Sequence, residues 1–278
     1  MNKIKIPSDY NYISAFLTFA CTFKCDYCIN HYNGLHKYKH MSTEDWVLGL
    51  NRIQTKKNCP ITLTGGEPTL CRGFYDIVDG IDKKINCDLL TNGDFDIRDF
   101  VKNIPPERMK RRSKYASIRF SYHPGYSDGQ SLIWDVHTLD DAGYHVGIWG
   151  VDTGDEVVKD MQKEAKKLGI DFRLKEFLDS THGNYKYPKG VDGKRKKCLC
   201  KPSELLIAPD GRLFRCHYDL YHGVNSYAHI LDEQITLPTD FLHCDNYGLC
   251  NPCDIKLKFD RHQRTGWCSV SIKDVDKM

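Results

Sequence analysis

Six short runs of apolar and β-branched residues recur along the first 180 residues, and segments with helical spacing of apolar residues separate them. Such runs are typical of strands, and their alternation with helices is typical of βα units around a parallel sheet. Right-handed crossovers would curve this sheet. The sequence therefore predicts an α/β fold, a partial (β/α)6 barrel of the TIM type, with functional residues at the carboxyl ends of its strands. The predicted strands are 12–19, 60–65, 86–93, 115–123, 144–152 and 170–177.

Two predicted helices have recognisable ends. The first covers 42–54, where Ser42 can cap the helix and Asp45 occupies the third position of the turn. The second covers 155–169 and closes on Gly169, a residue suited to a helix C-terminus. Further helices, with a weaker sequence signal, are expected after Phe74, Ile97 and Gly129.

The pattern changes near residue 180. Residues 181–197 are rich in Gly, Pro and Lys and are predicted to be a linker between a core at 1–180 and a second module at 198–278. This module is expected to contain a β-hairpin at 203–219 around a Pro-Asp-Gly turn. It also holds seven of the thirteen cysteines in the chain.

Composition excludes several classes of protein. No stretch approaches the roughly 20 apolar residues of a membrane span, and the first residues lack the apolar run of a secretory signal. We therefore expect a cytoplasmic protein, in which an odd number of cysteines suits metal ligation better than disulfides. The net charge of +3 is too small to predict nucleic-acid binding, and the basic runs 109–114 and 194–197 are interpreted as solvated faces.

Three cysteines follow the first predicted strand directly. Cys21, Cys25 and Cys28 lie close enough in sequence for their thiolates to meet at one metal centre. A structural zinc site normally has four protein ligands, whereas an iron-sulfur cluster held by three cysteines leaves one iron open. The alternative is a zinc knuckle, completed by one of the histidines His31, His36 and His40.

A glycine-rich turn ends the second predicted strand. In the segment TGGEPTL, Gly65 and Gly66 allow backbone groups to approach a ligand closely, and Pro68 follows Glu67. The Glu67 carboxylate is of the type that binds an ammonium group. The sequence therefore predicts a ligand site at this strand end.

The two motifs together resemble those of the radical S-adenosylmethionine (radical SAM) superfamily. Its signature is C-x3-C-x2-C with an aromatic residue before the last cysteine, here Tyr27, followed by a GGEP motif, here residues 65–68. The resemblance implies a catalytic 4Fe-4S cluster whose open iron binds the amino and carboxylate groups of S-adenosylmethionine. Reductive cleavage of this cofactor would then give a 5'-deoxyadenosyl radical, and the GGEP motif would bind the cofactor's amino group.

Polar residues at further strand ends fit a cofactor lying across the barrel mouth. In relatives, such positions contact the methionine carboxylate, the ribose or the adenine. The alternative for each residue is turn capping or hydrogen bonding within the core. The candidates are Thr91, Asn92, Ser121, His123 and Asp152.

Charged residues on the later strands are expected to point partly into the barrel. They could bind an anionic substrate, move a proton or form an inward salt bridge, and they receive no acid-base role. This set is Arg119, Arg173, Lys175 and Glu176. Cys59, Cys71 and Cys87 are interpreted as buried structural thiols, with Cys71 also a candidate hydrogen donor.

The C-terminal cysteines resemble the SPASM and twitch extensions of radical enzymes. The spacing from Cys200 through Gly211 to Cys216 matches their C-x(9-15)-G-x4-C opening, and Cys198 competes with Cys200 as the first ligand. The later cysteines depart from the full SPASM pattern, which leaves one or two auxiliary 4Fe-4S clusters as the expectation. A four-thiolate zinc ribbon is the alternative. The later candidate ligands are Cys244, Cys250, Cys253 and Cys268.

The resemblance covers nearly the whole chain but leaves the substrate open. Only twenty residues precede Cys21, so we expect no leader-peptide clamp, and a small-molecule or carrier-bound substrate ranks ahead of a peptide, with RNA third. An electron donor such as flavodoxin or ferredoxin is the expected partner. The competing class is a non-catalytic zinc-binding interaction module.

Overall fold

A computed structural model describes residues 1–25, 28, 38–55, 59–111, 115–176, 196–247 and 270–274. The strands are β1 (Ile4–Lys5), β2 (Tyr12–Thr18), β3 (Ile53–Gln54), β4 (Ile61–Gly65), β5 (Cys87–Thr91), β6 (Ile118–Tyr122), β7 (Val146–Asp152), β8 (Phe172–Glu176), β9 (Lys196–Pro202), β10 (Glu204–Ile207), β11 (Arg212–Phe214), β12 (Ala228–His229), β13 (Leu242–Tyr247) and β14 (Val270–Asp274). The helices are α1 (Thr43–Leu50), α2 (Phe74–Gly80), α3 (Ile97–Asn103), α4 (Gly129–Asp141), α5 (Glu156–Lys167) and α6 (His217–His222).

The main sheet has nine strands in the order β12-β11-β10-β2-β4-β5-β6-β7-β8. From β10 to β8 every neighbouring pair is parallel, and helices connect the strands from β2 onward. The six predicted strands coincide with β2, β4, β5, β6, β7 and β8, which follow one another in space as they do in the chain. The predicted α/β fold, a partial barrel with a parallel sheet, is confirmed.

The two faces of this sheet differ in chemistry. Leu63, Leu89 and Phe120 belong to the apolar core and are fully buried. The opposite face is polar, since strand register places Ser14 beside Thr62 and Thr62 beside Asp88. A barrel interior normally packs bulky branched residues, so this polar interior is a departure from the usual pattern.

The buried carboxylate in this interior pairs with two arginines. Arg119 Nη1 lies 2.7 Å from Asp88 Oδ2, and Arg111 contacts the same oxygen. Burial alone would raise the pKa of Asp88, but the charges of Arg119 and Arg111 hold it below its usual value. Of the alternatives that the sequence left open for Arg119, the structure shows the inward salt bridge. Arg173 instead pairs with Asp171, where both side chains are partly exposed.

The helices follow the sequence with one correction. Ser42 caps α1 by accepting a hydrogen bond from the backbone N–H of Asp45, as expected. The helix ends at Leu50, however, and not at residue 54, because Ile53–Gln54 form β3 and pair with β1. The helices α2, α3 and α4 lie where they were predicted. None of the helices in the described ranges combines the length and the apolar character needed to cross a membrane.

The predicted β-hairpin is formed by β10 and β11 around a turn in which Gly211 has a φ of +82°. Unexpectedly, β10 also pairs with β2 in parallel, so the hairpin extends the core sheet. A separate three-stranded sheet, in the order β13-β9-β14, carries Cys198, Cys200 and Cys244. The division into a core, a linker at 181–197 and a module at 198–278 stays a prediction.

Candidate active site

The Gly-Gly turn at the end of β4 packs against, and hydrogen-bonds to, the backbone that follows β2. A side-chain carbon on Gly66 would lie 2.3 Å from the Ala20 carbonyl oxygen, and one on Gly65 would lie 1.9 Å from that of Thr18. Gly65 also has a φ of +145°, a conformation that favours glycine. The N–H groups of Gly66 and Glu67 donate to Thr18 and Ala20 at 2.8 and 2.7 Å. The two glycines therefore fix the backbone that leads directly into Cys21.

The Glu67 carboxylate is fully buried and points into the protein. Its Oε1 accepts hydrogen bonds from the N–H and the hydroxyl of Thr69, at 3.1 and 2.7 Å. Its Oε2 accepts from the Thr91 hydroxyl and the Asn92 N–H, both at 2.7 Å. Burial raises the pKa of Glu67, and these hydrogen bonds oppose the rise. The carboxylate therefore braces the ends of β4 and β5 against each other, a task that the sequence did not predict.

Asn92 connects the end of β5 to the first cysteine. Its Nδ2 lies 3.5 Å from the sulfur of Cys21 and 3.2 Å from Oγ1 of Thr22. Its Oδ1 accepts a hydrogen bond from the N–H of Asp94 at 2.9 Å. The structure thus brings Asn92 to Cys21. The sequence had predicted a contact of Asn92 with the cofactor, whereas here its side chain contacts the cysteine directly.

The cysteine segment continues across the mouth of the barrel toward β6. The ring of Phe23 meets that of His123 edge-on, with centroids 6.1 Å apart, and lies 6.3 Å from that of Tyr126. Cys25 is buried, and its carbonyl accepts the N–H of Cys28 at 2.9 Å. Phe23 was not singled out from the sequence, although an aromatic residue inside C-x3-C was the available signal.

The remaining predicted residues lie at the same end of the sheet. Ser121 is partly exposed on β6, and His123 follows that strand. Asp152 ends β7 and accepts the N–H of Gly154 at 3.2 Å, which is a turn-capping bond. Tyr27 lies outside the described residues.

The sequence profile of the Radical SAM superfamily matches residues 16–118, a range that contains the cysteine segment, the Gly-Gly turn and the end of β5. The chain therefore carries a radical SAM domain at residues 16–118, which supports an enzyme of the radical SAM class. An enzyme of this class is not a non-catalytic zinc-binding interaction module, which was the competing interpretation of the sequence.

The relatives of this chain are named for different activities. A GTP 3',8-cyclase of Clostridium perfringens is 27% identical over 230 residues, which cover 77% of this chain and 68% of the cyclase. The sporulation killing factor maturation protein SkfB of Bacillus subtilis is 36% identical over 62 residues, which cover 22% of this chain and 15% of SkfB.

A solved structure shares the fold of this chain. SuiB of Streptococcus suis, bound to its precursor peptide SuiA, superposes with a TM-score of 0.51 at 12% identity. The match covers 82% of this chain and 64% of SuiB, so this chain spans less than two thirds of that protein's length. At this identity the likeness concerns the fold alone.

The superfamily implies a 4Fe-4S cluster and S-adenosylmethionine, and the donor set fits that pair. Three thiols stand on one short segment at the carboxyl ends of the strands, where parallel α/β proteins bind ligands. The sulfur atoms of Cys21, Cys25 and Cys28 do not all lie within 4.8 Å of one another, and His40 forms no such group with them. His31 and His36 lie outside the described residues.

A second thiol group stands on the small sheet. Within the described part of the chain, Cys198, Cys200 and Cys244 are the one set of three such ligands whose sulfur atoms lie within 4.8 Å of one another. Cys198 and Cys200 share a face of β9, and their sulfur atoms lie 3.4 Å apart. Cys244, on the neighbouring strand β13, is the register partner of Cys198. Cys198 and Cys200, which the sequence treated as competitors, therefore come together.

Cys216 is not part of this close set. It caps α6 by accepting the N–H of Asp219 at 3.5 Å. Arg215 donates to Asp219 at 2.7 Å and to the carbonyl of His243, which places it between the segments of Cys216 and Cys244. Of the predicted C-terminal ligands, Cys250, Cys253 and Cys268 lie outside the described residues.

Proposed function

We propose that the chain holds a catalytic 4Fe-4S cluster through Cys21, Cys25 and Cys28 and abstracts a hydrogen atom from a small-molecule or carrier-bound substrate. With S-adenosylmethionine bound, such a cluster supplies the electron that cleaves the sulfonium bond and yields a 5'-deoxyadenosyl radical. The observation that carries this proposal is the hydrogen-bonded connection from the turn at Gly66 to the backbone before Cys21.

The chain's residues divide into those that shape the site and those that contact the cofactor. Gly65, Gly66 and Pro68 set the backbone of the turn, where we place the cofactor's amino group. Thr91 is committed to the buried Glu67 carboxylate, so its part is to hold the end of β5. The nucleoside is assigned to the partly exposed strand ends at Ser121, His123 and Asp152.

The interior of the barrel supports a compact, polar substrate. On β5 and β6 the inward residues Leu90 and Ser121 are partly exposed, while the next inward residues below them, Asp88 and Arg119, are buried. Partly exposed side chains above a buried pair of opposite charges suit a hydrogen-bonding molecule. Radical transfer then needs only that one substrate C–H lie beside the nucleoside.

A peptide is the second candidate substrate, and two relatives favour it. SuiB is bound to a precursor peptide, and SkfB is named for the maturation of a killing factor. RNA ranks third. The GTP 3',8-cyclase is named for a nucleotide substrate, which supports the small-molecule class.

The C-terminal thiols are assigned to an auxiliary iron-sulfur cluster of the SPASM or twitch type, with Cys198, Cys200 and Cys244 as its first ligands. Three sulfurs at tetrahedral spacing about one zinc ion, about 3.8 Å apart for Zn–S bonds of about 2.3 Å, are the competing arrangement. Metal analysis separates the two. Cysteine thiols stay reduced in the cytosol, and we place the enzyme there. We assign a flavodoxin or a ferredoxin as its electron donor.

The test of the catalytic proposal is the formation of 5'-deoxyadenosine. Anaerobically reconstituted protein, given dithionite and S-adenosylmethionine, should form it, and Cys25→Ala should abolish it. Cys59→Ala is the matched control, because Cys59 is a buried cysteine just before β4, away from the carboxyl ends of the strands, and should leave the product unchanged. Equal product from Cys25→Ala and the wild type would rule out the proposed cluster site.

The substrate class is tested with fractions of a cell extract. The small-molecule ultrafiltrate should increase 5'-deoxyadenosine formation more than the peptide or RNA fractions do, and deuterium from labelled substrate should enter the product. Stimulation by the peptide fraction alone would favour the second candidate. Stimulation by RNA that falls steeply with salt would favour the third.

A further inference from the structure

The orientation of the Asn92 side chain is fixed by its partners. The backbone N–H of Asp94 can only donate, so the side-chain atom that accepts from it at 2.9 Å must be Oδ1. Nδ2 therefore faces the other way, toward the sulfur of Cys21 at 3.5 Å and Oγ1 of Thr22 at 3.2 Å. These two contacts occupy both amide hydrogens, and neither is left for S-adenosylmethionine.

The position of Asn92 is equally constrained. Its side chain is largely buried, and its backbone N–H donates to the Glu67 carboxylate at 2.7 Å. The next residue, Gly93, has a φ of +84°, and a side-chain carbon there would lie 2.6 Å from the ring of Phe120. These contacts fix the backbone at Asn92, and the bond from Asp94 to Oδ1 holds the side-chain amide beside Cys21.

We propose that Asn92 is a positioning residue that sets the reduction potential of the cluster bound by Cys21, because its amide donates a hydrogen bond to the ligand sulfur. The inference rests on the proposed cluster at Cys21, Cys25 and Cys28. A hydrogen bond to a ligand sulfur stabilises negative charge on the cluster, and the reduced cluster carries one more negative charge than the oxidised one. The bond therefore makes electron uptake easier and raises the potential.

The experiment is an anaerobic redox titration of the reconstituted protein, followed by electron paramagnetic resonance without substrate. Asn92→Asp keeps the oxygen that Asp94 needs and replaces the donor with a negatively charged oxygen. Asn92→Ala removes the donor and adds no charge. At a fixed applied potential, the ratio of reduced to oxidised cluster should fall at least tenfold in Asn92→Asp, a shift of about 59 mV for one electron. The fall in Asn92→Ala should be smaller and in the same direction.

Asn103→Asp is the matched control, since it makes the same chemical change at an exposed position on α3 and should leave the potential unchanged. Unchanged potentials in both Asn92 variants, at wild-type iron content, would overturn the inference. Loss of the cluster from both Asn92 variants, with a cluster in Asn103→Asp, would also overturn it, because the residue would then serve assembly. A wild-type protein that forms no cluster would instead refute the proposed function.

Discussion

Replacing Glu67 by Gln tests whether the buried carboxylate braces the two strand ends. Each carboxylate oxygen accepts a backbone N–H, Oε1 from Thr69 and Oε2 from Asn92. A glutamine amide has only one oxygen, so in either orientation its NH2 group faces one of these donors. An unsatisfied buried donor costs about 1–3 kcal/mol, and the remaining bonds lose their charge assistance. We expect a loss of about 3 kcal/mol in the free energy of unfolding.

Thermal unfolding of the iron-free chain measures this loss. At roughly 2–4 °C per kcal/mol for a chain of this size, the melting temperature should fall by roughly 6–12 °C. Glu233→Gln makes the same change at an exposed position and should stay within about 0.5 kcal/mol of the wild type. If Glu67→Gln melted no lower than Glu233→Gln, the bracing role would be wrong.

Three further predictions address the turn, the barrel interior and the second thiol group. Gly66→Ala should destabilise the chain by about 1–3 kcal/mol and lower its iron content, because the added methyl group collides with the Ala20 carbonyl oxygen. Gly125→Ala is the control, since its methyl group meets no neighbouring atom and the variant should retain its iron. The folded-state pKa of Asp88 is depressed, so its stabilisation is present above about pH 4 and is lost as pH falls. Asp88→Asn should flatten the dependence of unfolding free energy on pH below that value, and an unchanged slope would contradict this. Cys198→Ser should lower the metal content while the S-adenosylmethionine-dependent spectrum persists, and full metal retention would argue against this ligand.

Local sequence patterns predicted the parallel strands well, because a strand buried on a curved sheet needs a run of apolar and β-branched residues whatever its neighbours are. They did not predict that β10 pairs with β2, since no local pattern specifies which distant strand a hairpin joins. The same limit explains the helix that ends at Leu50. Residues Ile53–Gln54 continue the helical spacing, but pairing with β1 outweighs their propensity.

The candidate site shows a similar division. The sequence located the Gly-Gly turn, Thr91 and Asn92 at neighbouring strand ends, and the structure brings them together through Glu67. The sequence interpreted the two glycines as leaving room for a ligand to approach the backbone. In the structure, the carbonyl oxygens of Thr18 and Ala20 lie where side-chain carbons on these glycines would be. Which partner a buried polar group takes depends on three-dimensional neighbours, so the roles of Glu67 and Asn92 required the structure.

In the proposed catalytic site, Cys21, Cys25 and Cys28 leave one iron of the cluster open to S-adenosylmethionine. Electron paramagnetic resonance of the reduced, anaerobically reconstituted protein tests it directly. A 4Fe-4S signal that changes when S-adenosylmethionine is added, and that is absent in Cys25→Ala, is the predicted result. A spectrum that S-adenosylmethionine leaves unaltered, or a colourless protein containing zinc at these cysteines, would contradict the account.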